Sequence, residues 1–506
     1  MSLLDALRED LGVRSVKDGC SPQGQCGCCT VLIDGAARVA CVTPVRRAAG
    51  RSVVTADGLD PEVSGRLVGA FVKHGASQCG FCTPGIICRL SALGAAPTVA
   101  QVETALLAHL CRCTGWRTIV DAACSDHPAG LTTSGADRTP SLEASARRAE
   151  IEGGTAQNTG AEIVKGRGRF ADDGAPPGCL VAVPDGHGGW SVGETLAEAR
   201  AAFGKVQGRR SGQELSYPLD VPPGEWDLTL QTTWVEPAYL EPDASWCLPG
   251  GEPAHAAGNG GAFGGKMASA APAAARELAD RYGRPVRVVF SREDVVKIGP
   301  KRPPIAAGVR SDGTGILRIA AAAGVAPAIR AVAPGLDLEE VDVNGPAVSA
   351  AVRAAGWAEA AVLMTALHGG PTAKVAAPDG GRAEAEVRVD EAGQPTSVAV
   401  RVSCGDPLDE VVLRSFVTGA AHMALGWVCS EAIAVGADGV PADLTIRSFG
   451  ILRARDTPPI TVTIERSGAG VRPTNGSDAA FAAVAAAIWM AQGRPPRWPT
   501  TRGRTS

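Results

Sequence analysis

Clustered cysteines are the residues of this chain whose spacing most directly indicates chemistry. The segment "GCSPQGQCGCC" at residues 19–29 holds four of the 15 cysteines. Cys20, Cys26 and Cys29 share one loop, and Cys41 follows on the next predicted strand. Thiolates are soft ligands that suit iron–sulfur clusters, and four of them complete a [2Fe–2S] site. Zinc is the alternative, although zinc sites favour paired CxxC knuckles.

The glycines of this loop also fit a cluster. Gly19, Gly24 and Gly27 let the backbone curl with φ values that residues with side chains resist. Backbone N–H groups can then point at the sulfurs and tune the reduction potential. The remaining cysteine, Cys28, faces away from Cys29, and we predict a packed thiol that binds no iron.

A second set of cysteines lies in "QCGFC" at residues 78–82 and "CRCTGW" at residues 111–116. Converging helix ends are expected to bring Cys79, Cys82, Cys111 and Cys113 together. Taken alone, these four thiols are compatible with zinc or with iron–sulfur. Beside the first set, a second [2Fe–2S] cluster is the favoured interpretation. Four thiolates leave no vacancy for His109, which is predicted to be packed or solvated.

The composition favours a soluble globular protein over a nucleic-acid-binding or membrane-spanning one. The chain has 506 residues, 45% of them hydrophobic and 20% charged, with a net charge of −4. These values are typical of a soluble globular protein and give no basic footprint for nucleic acid. The most apolar stretch, residues 316–333, is interrupted by Arg318 and Arg330 and falls short of a membrane span. A cytoplasmic protein is expected, where clustered cysteines more often bind metal than form disulfides.

The chain divides into blocks. Residues 1–60 show strand patterns that end in Asp-Gly turns, and residues 61–124 show helix patterns. Asp60 before Pro61 predicts one helix start, and Thr98 with Gln101 has the spacing of a capping box. Residues 125–150 are predicted to be a linker. Residues 151–330 and 331–506 are predicted to form the two parts of an α+β region.

The cysteine motifs resemble those of the xanthine dehydrogenase/aldehyde oxidoreductase family of molybdenum hydroxylases. That family shows GC…GQCGxCT, QCGFCTPG and CRCTGY, and this chain has "GCSPQGQCGCCT", "QCGFCTPG" and "CRCTGW". The resemblance implies a β-grasp ferredoxin-like domain, a helical domain of four-helix type and a molybdopterin-binding-like α+β region. It also implies that Gln78 and Cys113 lie against the pterin. The implied ligands are Cys20, Cys26, Cys29 and Cys41 for the outer cluster, and Cys79, Cys82, Cys111 and Cys113 for the inner one.

The glycine-rich loop "GNGGAFGGKM" at residues 258–267 has two interpretations. It superficially matches a phosphate-binding loop, but Met267 stands where Ser or Thr should hold magnesium. It more closely resembles the GGGFGGK loop of the family's molybdopterin-binding subunit, which implies cofactor contacts from Gly261, Phe263 and Gly264. Glu241, in "LEP", occupies the place of a substrate-side carboxylate in the same family.

Three departures from the family pattern bear on catalysis. The family's catalytic base is a glutamate near the C-terminus, and no glutamate follows Glu465 in this chain. Asp478 is the remaining acid there, with a shorter side chain that lies off register. Phe416 stands where a pterin-contacting glutamine is expected, and its ring cannot supply an amide's hydrogen bonds. In the family, the region that corresponds to residues 320–370 holds an arginine-bearing substrate loop. In this chain that region looks shorter and different in sequence.

These observations predict an iron–sulfur electron-transfer subunit. It would carry electrons from a molybdopterin centre, held mainly by a catalytic partner subunit, through two [2Fe–2S] clusters to FAD on another partner. The degenerate second half would act as a docking body that sets Gln78 and Cys113 beside the partner's pterin. The alternative is a self-contained hydroxylase in which Asp478 or the substrate replaces the missing base. A third hypothesis is a non-catalytic assembly protein. The substrate is left open.

Overall fold

The computed structural model describes residues 1–125, 141–201, 212–466 and 470–501. Its N-terminal part contains α1 (Leu3–Asp5), β1 (Thr30–Ile33), β2 (Ala36–Val39), β3 (Val53–Val54), α2 (Pro61–His74), α3 (Thr83–Ser91), α4 (Val99–Ala105) and α5 (Arg117–Ala123). The three strands form a sheet of order β2-β1-β3, with Thr30 opposite Val39 in the antiparallel β1–β2 pair. The four longer helices follow this sheet, so the expected succession of a small β domain and a helical domain is confirmed.

Local sequence signals account for where these helices begin. Asp60 caps α2, because its carboxylate accepts hydrogen bonds from the N–H groups of Glu62 and Val63. Thr98 and Gln101 form a capping box at the start of α4. These caps satisfy N–H groups that have no partner within the helix. Both predicted helix starts are confirmed.

The rest of the chain begins with α6 (Leu142–Gly153), α7 (Ala161–Val164), β4 (Leu180–Pro184), β5 (Trp190–Gly193), α8 (Leu196–Ala201), β6 (Leu228–Gln231) and β7 (Ala244–Cys247). It continues with α9 (Ala271–Tyr282), β8 (Val286–Val289), α10 (Arg292–Ile298), β9 (Ile305–Val309), β10 (Gly315–Ala320), α11 (Ala326–Val332) and β11 (Leu336–Val341). It ends with α12 (Trp357–His368), β12 (Ala373–Ala376), β13 (Arg382–Val389), β14 (Pro395–Ser403), α13 (Glu410–Cys429), β15 (Ile460–Ile464) and α14 (Ser477–Ala491).

These strands form three four-stranded mixed sheets, of order β5-β4-β8-β7, β11-β10-β9-β6 and β12-β13-β14-β15. In the second sheet β11 pairs in parallel with β10, so that Leu336 lies opposite Gly315. The predicted division at residue 330 is therefore wrong, because it would cut this sheet between two paired strands. The multidomain α+β class is confirmed.

The predicted linker at residues 125–150 is also partly wrong. Helix α6 occupies residues from 142 onward, with Ser141 as its N-cap and Gly154 in a left-handed conformation after its last turn. The side chain of Arg148 is fully buried and donates to Glu152 at 2.9 Å. Ser and Gly are typical of linkers when considered in isolation, but here they begin and end a helix. The remaining predicted linker residues lie outside the described part of the chain.

Helices α13 and α14 form the core of the C-terminal part. Both are apolar on nearly all sides, as expected for helices surrounded by protein. Trp427 of α13 stacks on Phe481 of α14 with ring centroids 5.0 Å apart, and Trp498 packs edge-on against Trp427 at 4.7 Å. Among the described residues, α13 is the one helix long and apolar enough to cross a membrane, and 83% of its apolar window is buried inside the protein.

Glycine at position 419 permits the closest approach of α13 to the helical domain. A Cβ placed there would overlap the carbonyl oxygen of Cys113. We predict that Gly419→Ala lowers the thermal stability, because overpacking costs about 1–3 kcal/mol when the neighbouring atom is backbone. Calorimetric Tm values measure the effect.

Gly69→Ala is the matched control for this change. Gly69 is also a helical glycine, but no atom lies within 4 Å of the place its Cβ would take. Alanine should stabilise α2 there by up to about 1 kcal/mol. Equal Tm shifts of the same sign in the two variants would contradict the close contact between α13 and Cys113.

Candidate metal centres

The outer cysteine loop brings four thiols together beside β1. Cys20 forms side-chain hydrogen bonds with Cys26 and with Cys41, and Cys41 is also bonded to Cys29. Backbone N–H groups point at the sulfurs, with Gln23 N 3.2 Å from the Cys20 Sγ and Cys41 N 3.4 Å from the Cys29 Sγ. The exposed fraction of each thiol residue is 6% or less. The loop thus gathers four buried cysteine sulfurs, and backbone N–H donors are directed at two of them.

The thiols of this loop perturb one another. Hydrogen bonds from Cys26 and Cys41 hold the pKa of Cys20 well below its usual value, whereas the bond to Cys20 raises the pKa of Cys26. Without a metal, the four side chains therefore hold their protons with very different strengths. A bound metal would remove this difference, because a coordinating thiol is deprotonated outright.

The inner set joins the ends of two helical segments. The Sγ atoms of Cys79 and Cys113 are 3.5 Å apart, and Cys82 is hydrogen-bonded to Cys111. That bond, together with donation from Thr114 at 3.2 Å, lowers the pKa of Cys111 to about 6 despite its burial. A thiol with this pKa is largely thiolate at neutral pH, which is the form that binds metal.

The inner sulfurs are arranged in two pairs, whereas the outer sulfurs form a chain of contacts in which Cys20 bonds with Cys26 and Cys41. The inner pairs are Cys79 with Cys113 and Cys82 with Cys111. Within the described ranges, no group of three or more His, Cys, Asp or Glu side chains is grouped around a single metal ion. A pairwise arrangement differs from the tetrahedral site of one zinc ion and suits two irons that each take two thiolates.

The two cysteine sets are packed directly against each other. Leu110 N donates to the Cys26 carbonyl at 2.9 Å, and the His109 ring lies against Gly27, whose φ is +72°. Burial lowers the pKa of His109 to about 3, so the ring is neutral, and its Nε2 is 3.1 Å from the Thr30 hydroxyl. His109 is a packed histidine that fills the space between the inner and outer cysteine loops.

Cys28 lies inside this packing with an exposed fraction of 1%. Its hydrogen bond with Cys26 lowers its pKa, but burial and the neighbouring Cys20 and Cys29 thiols raise the pKa by more. Cys28 is therefore a buried thiol next to the outer set, and its exclusion from the ligands stays a prediction.

The residues expected to contact a pterin are covered by the chain itself. Gln78 donates its amide to the Cys113 carbonyl at 2.9 Å and to the Ser415 hydroxyl of α13 at 3.1 Å. Cys113 is 5% exposed and lies under α13 at Gly419. Both residues are therefore covered by α13 of this chain, and their placement beside a partner's pterin stays a prediction.

The glycine loop is closed in the same way. A Cβ on Gly261 would lie 2.8 Å from the Cys79 Sγ, and one on Gly264 would overlap the Ala351 carbonyl. The guanidinium of Arg353 covers the ring of Phe263 at 4.8 Å. The three glycine-loop residues expected to bind cofactor therefore pack against protein atoms.

Two amide side chains and a carboxylate fill the neighbouring space. The Gln157 amide lies against Gly260, and the Asn259 amide donates to the Cys79 carbonyl at 2.8 Å. The Glu152 carboxylate accepts from the N–H groups of Gly476 and Ser477 at the start of α14, at 3.1 and 2.8 Å. In this arrangement the residues do not fit a pterin dinucleotide, since their polar groups are satisfied and their surfaces are covered.

The two candidate catalytic acids are both paired with cations. Glu241 accepts from Lys266 of the glycine loop at 2.8 Å and is 6% exposed. Burial raises the pKa of Glu241 even with Lys266 beside it. Asp478 accepts from Arg353 Nε at 2.8 Å. Neither carboxylate is placed as a free base, because each is hydrogen-bonded to a cation of its own chain.

A small cavity lies beside Arg353, the partner of Asp478. It is lined in part by Arg112, Phe263, Arg353 and Trp427. Arg112, between two inner cysteines, forms a buried bidentate pair with Glu431 at 2.5 and 2.7 Å. Sequence reasoning missed Arg112 and Arg353, although "CRC" and the arginine in "AAVRAAG" were visible signals.

Comparison with known proteins agrees with this geometry. Residues 55–124 match the model of the [2Fe-2S] binding domain family. The chain is 43% identical over 124 residues to the nicotine 6-hydroxylase small subunit of Paenarthrobacter nicotinovorans, covering 24% of this chain and 74% of that subunit. It is 41% identical over 128 residues to the xanthine dehydrogenase iron-sulfur-binding subunit of Escherichia coli O157:H7, covering 24% and 77%. The N-terminal quarter is thus an iron–sulfur module that binds [2Fe–2S].

The fold comparison extends over the whole chain. The aldehyde oxidoreductase from Desulfovibrio gigas has a similar fold, with a TM-score of 0.71 at 16% identity, over 99% of this chain and 96% of that one. At this identity the likeness concerns the fold alone. The similarity to the small subunits shows that the chain belongs to the xanthine dehydrogenase/aldehyde oxidoreductase family of molybdenum hydroxylases, and the fold agrees. The chain is therefore an oxidoreductase.

We predict that Cys111→Ser removes one of two distinguishable paramagnetic signals of the reduced protein and leaves the other. Serine oxygen is a harder ligand than thiolate and cannot replace the sulfur paired with Cys82. Electron paramagnetic resonance at low temperature measures both signals. Cys28→Ala is the control and should keep both. Two unchanged signals in Cys111→Ser would show that the inner site is assigned wrongly.

Proposed function

We propose that this chain is the iron–sulfur electron-transfer subunit of a molybdenum hydroxylase complex. Electrons pass from a molybdopterin centre on a catalytic partner through the inner and then the outer [2Fe–2S] cluster to FAD on a second partner. The observation that carries this proposal is the packing of two four-thiol sets against each other in one dry core. We place the complex in the cytoplasm, where reduced thiols remain available for cluster assembly.

The proposed ligands follow from the two sets of thiols. The outer cluster takes three cysteines from the loop and Cys41 from the 3-10 turn that follows β2, and the inner cluster takes two pairs from the segments that precede α3 and α5. The N–H donors at Cys20 and Cys29 hold the sulfurs and stabilise negative charge on the outer cluster. The ligands are Cys20, Cys26, Cys29 and Cys41 for the outer cluster, and Cys79, Cys82, Cys111 and Cys113 for the inner one.

The closed glycine loop supports a catalytic centre on another chain. The amide of Gln78, the ring of Phe263 and the backbone of Gly264 are all engaged by this chain's own atoms. In the proposal, the partner's centre lies beyond α13 and delivers electrons through this layer. Electron transfer between redox centres does not require that the two centres touch.

The electron acceptor is proposed to dock beside the outer cluster. Val42 follows the ligand Cys41 and is 59% exposed. Arg38, Arg46 and Arg47 are exposed and lie within five residues of it in the sequence, and residues 35–56 contain no acidic side chain. A partner with an acidic face around its flavin matches this surface, because complementary charge speeds association.

The alternative, a self-contained hydroxylase, has one observation in its favour. The fold matches that of an aldehyde oxidoreductase over nearly its full length, and a small cavity lies beside Arg112. In that case Asp478 or the substrate replaces the missing base, and loss of turnover in Asp478→Asn would assign that role to Asp478. Turnover unaffected by Asp478→Asn removes Asp478 as the base of this alternative.

We predict that the purified chain with its clusters contains about four iron atoms and no stoichiometric molybdenum. The expectation holds even when the chain is expressed in a host that makes the molybdenum cofactor, since its own side chains close the glycine loop. Plasma emission spectrometry of the purified protein measures both metals. Stoichiometric molybdenum together with turnover by the chain alone would overturn the proposed function.

We predict that Arg46→Glu with Arg47→Glu slows electron transfer to an acidic flavoprotein such as flavodoxin by about tenfold or more at low salt. Reversing charges at an electrostatically steered surface changes the association rate, and the effect shrinks as salt screens it. Stopped-flow oxidation of the dithionite-reduced protein measures the rate. Arg330→Glu, exposed on α11, is the control for charge alone. A similar loss in Arg330→Glu would argue against this docking face.

A further inference from the structure

Among the described residues, Arg292 is the only buried arginine that forms no ion pair. Its side chain is fully buried, and it is the first residue of α10. Every other buried arginine has a carboxylate partner within the chain. These paired arginines are Arg8, Arg112, Arg148, Arg287, Arg302 and Arg353. The fold thus neutralises its other buried guanidinium groups and treats Arg292 differently.

The contacts of the Arg292 guanidinium are with neutral groups. Its Nη2 donates to the carbonyls of Gly19 and Leu240 at 2.7 and 2.8 Å, and the centroid of the Tyr239 ring is 5.9 Å away. Its Nε and Nη1 are buried without a hydrogen-bond partner. Glu293, the next residue, is hydrogen-bonded to the outer cysteine loop instead of to Arg292. Because burying an unpaired charge is costly, this cation calls for a nearby anion.

The outer cysteine set lies directly behind the Gly19 carbonyl. Gly19 precedes the proposed ligand Cys20 in the sequence. A Cβ built on Gly19 would lie 3.1 Å from the Cys26 Sγ and 3.2 Å from the Leu240 carbonyl oxygen. A single residue of the outer loop therefore separates the Arg292 guanidinium from a proposed ligand sulfur.

We propose that Arg292 is the fixed counter-charge of the outer [2Fe–2S] cluster. Four thiolates and two sulfides outweigh the charge of two ferric ions, so the cluster is an anion and offsets the charge of the buried guanidinium. Reduction adds one electron, which the inner cluster supplies, and moves no proton. A fixed positive charge nearby stabilises this more negative form and raises the outer potential.

This inference rests on the proposed electron-transfer function and adds a direction to it. A raised outer potential draws the electron away from the inner cluster and toward the acceptor side. Arg292 is a positioning residue for this transfer, because it acts through its charge and the Gly19 carbonyl and touches no ligand sulfur. Since α10 belongs to the second half of the chain, that half sets a property of the N-terminal iron–sulfur module.

The test compares Arg292→Gln, which removes the charge but keeps an amide donor, with Arg292→Lys, which keeps the charge. The holoprotein is titrated against redox mediators, and the two paramagnetic signals are followed separately. At a fixed mediator potential, Arg292→Gln should lower the ratio of reduced to oxidised outer cluster by about tenfold, or about 59 mV for one electron. This is the order expected for a unit charge acting through buried protein. Arg292→Lys should keep most of the outer potential, and the inner potential should shift by less in both variants.

Lys297→Gln is the matched control. Lys297 lies on the same helix and the substitution removes the same charge, but its side chain is exposed. Water and salt screen a charge in that position, so both potentials should stay as they are.

The outcomes separate this role from the proposed function. An outer potential in Arg292→Gln equal to that of the unsubstituted protein, or equal shifts in Arg292→Gln and Arg292→Lys, overturns the counter-charge and leaves electron transfer standing. If Arg292→Gln assembles no outer cluster, Arg292→Lys decides. A lysine variant that keeps the cluster supports the role of charge, and one that loses it overturns that role, because guanidinium geometry is then what matters. An unsubstituted protein without [2Fe–2S] signals contradicts the proposed function itself.

Discussion

Close backbone contact at glycine is the constraint on which the arrangement of the metal centres depends. The Gly27 carbonyl lies where a Cβ on Gly85 would go, and the Cys113 carbonyl lies where a Cβ on Gly419 would go. These two contacts set the outer loop on α3 and set α13 on the inner loop. A side chain at Gly85 would push the outer loop away from α3, and a side chain at Gly419 would push α13 away from the inner loop.

Buried charges hold the second half of the chain against the outer cysteine loop. The Arg292 guanidinium, which is fully buried, donates to the carbonyls of Gly19 and Leu240 at 2.7 and 2.8 Å. Arg112 forms its bidentate pair with Glu431 across the inner loop. Burying a charged group is costly, and hydrogen bonds offset the cost. Arg112 donates through all three guanidinium nitrogens, whereas Arg292 donates through one. They consequently fix one relative placement of the loops and the surrounding sheets.

The cysteine sets were predictable from sequence, whereas their surroundings were not. Thiol spacing, positive-φ glycines and the caps at Asp60 and Thr98 are local signals, and local signals are visible in a single sequence. The pairing of Asp478 with Arg353, and of Gln78 with Ser415, joins residues more than a hundred positions apart. Nothing in the composition of those segments specifies such partners. The parallel pairing of β10 with β11 was missed for the same reason, because it depends on a crossover through α11.

The part of the fold that contains the closed glycine loop still shields the inner cysteine set from solvent. Helix α13 excludes water from Cys113 and Gln78, which are 5% and 7% exposed. Solvent exposure and hydrogen bonding at the sulfurs set the potential of an iron–sulfur cluster. Residues 1–124 alone would leave that side of the inner cluster to be covered by another chain. Because α13 belongs to the same polypeptide, the surroundings of the inner cysteine set are fixed by the fold of this chain.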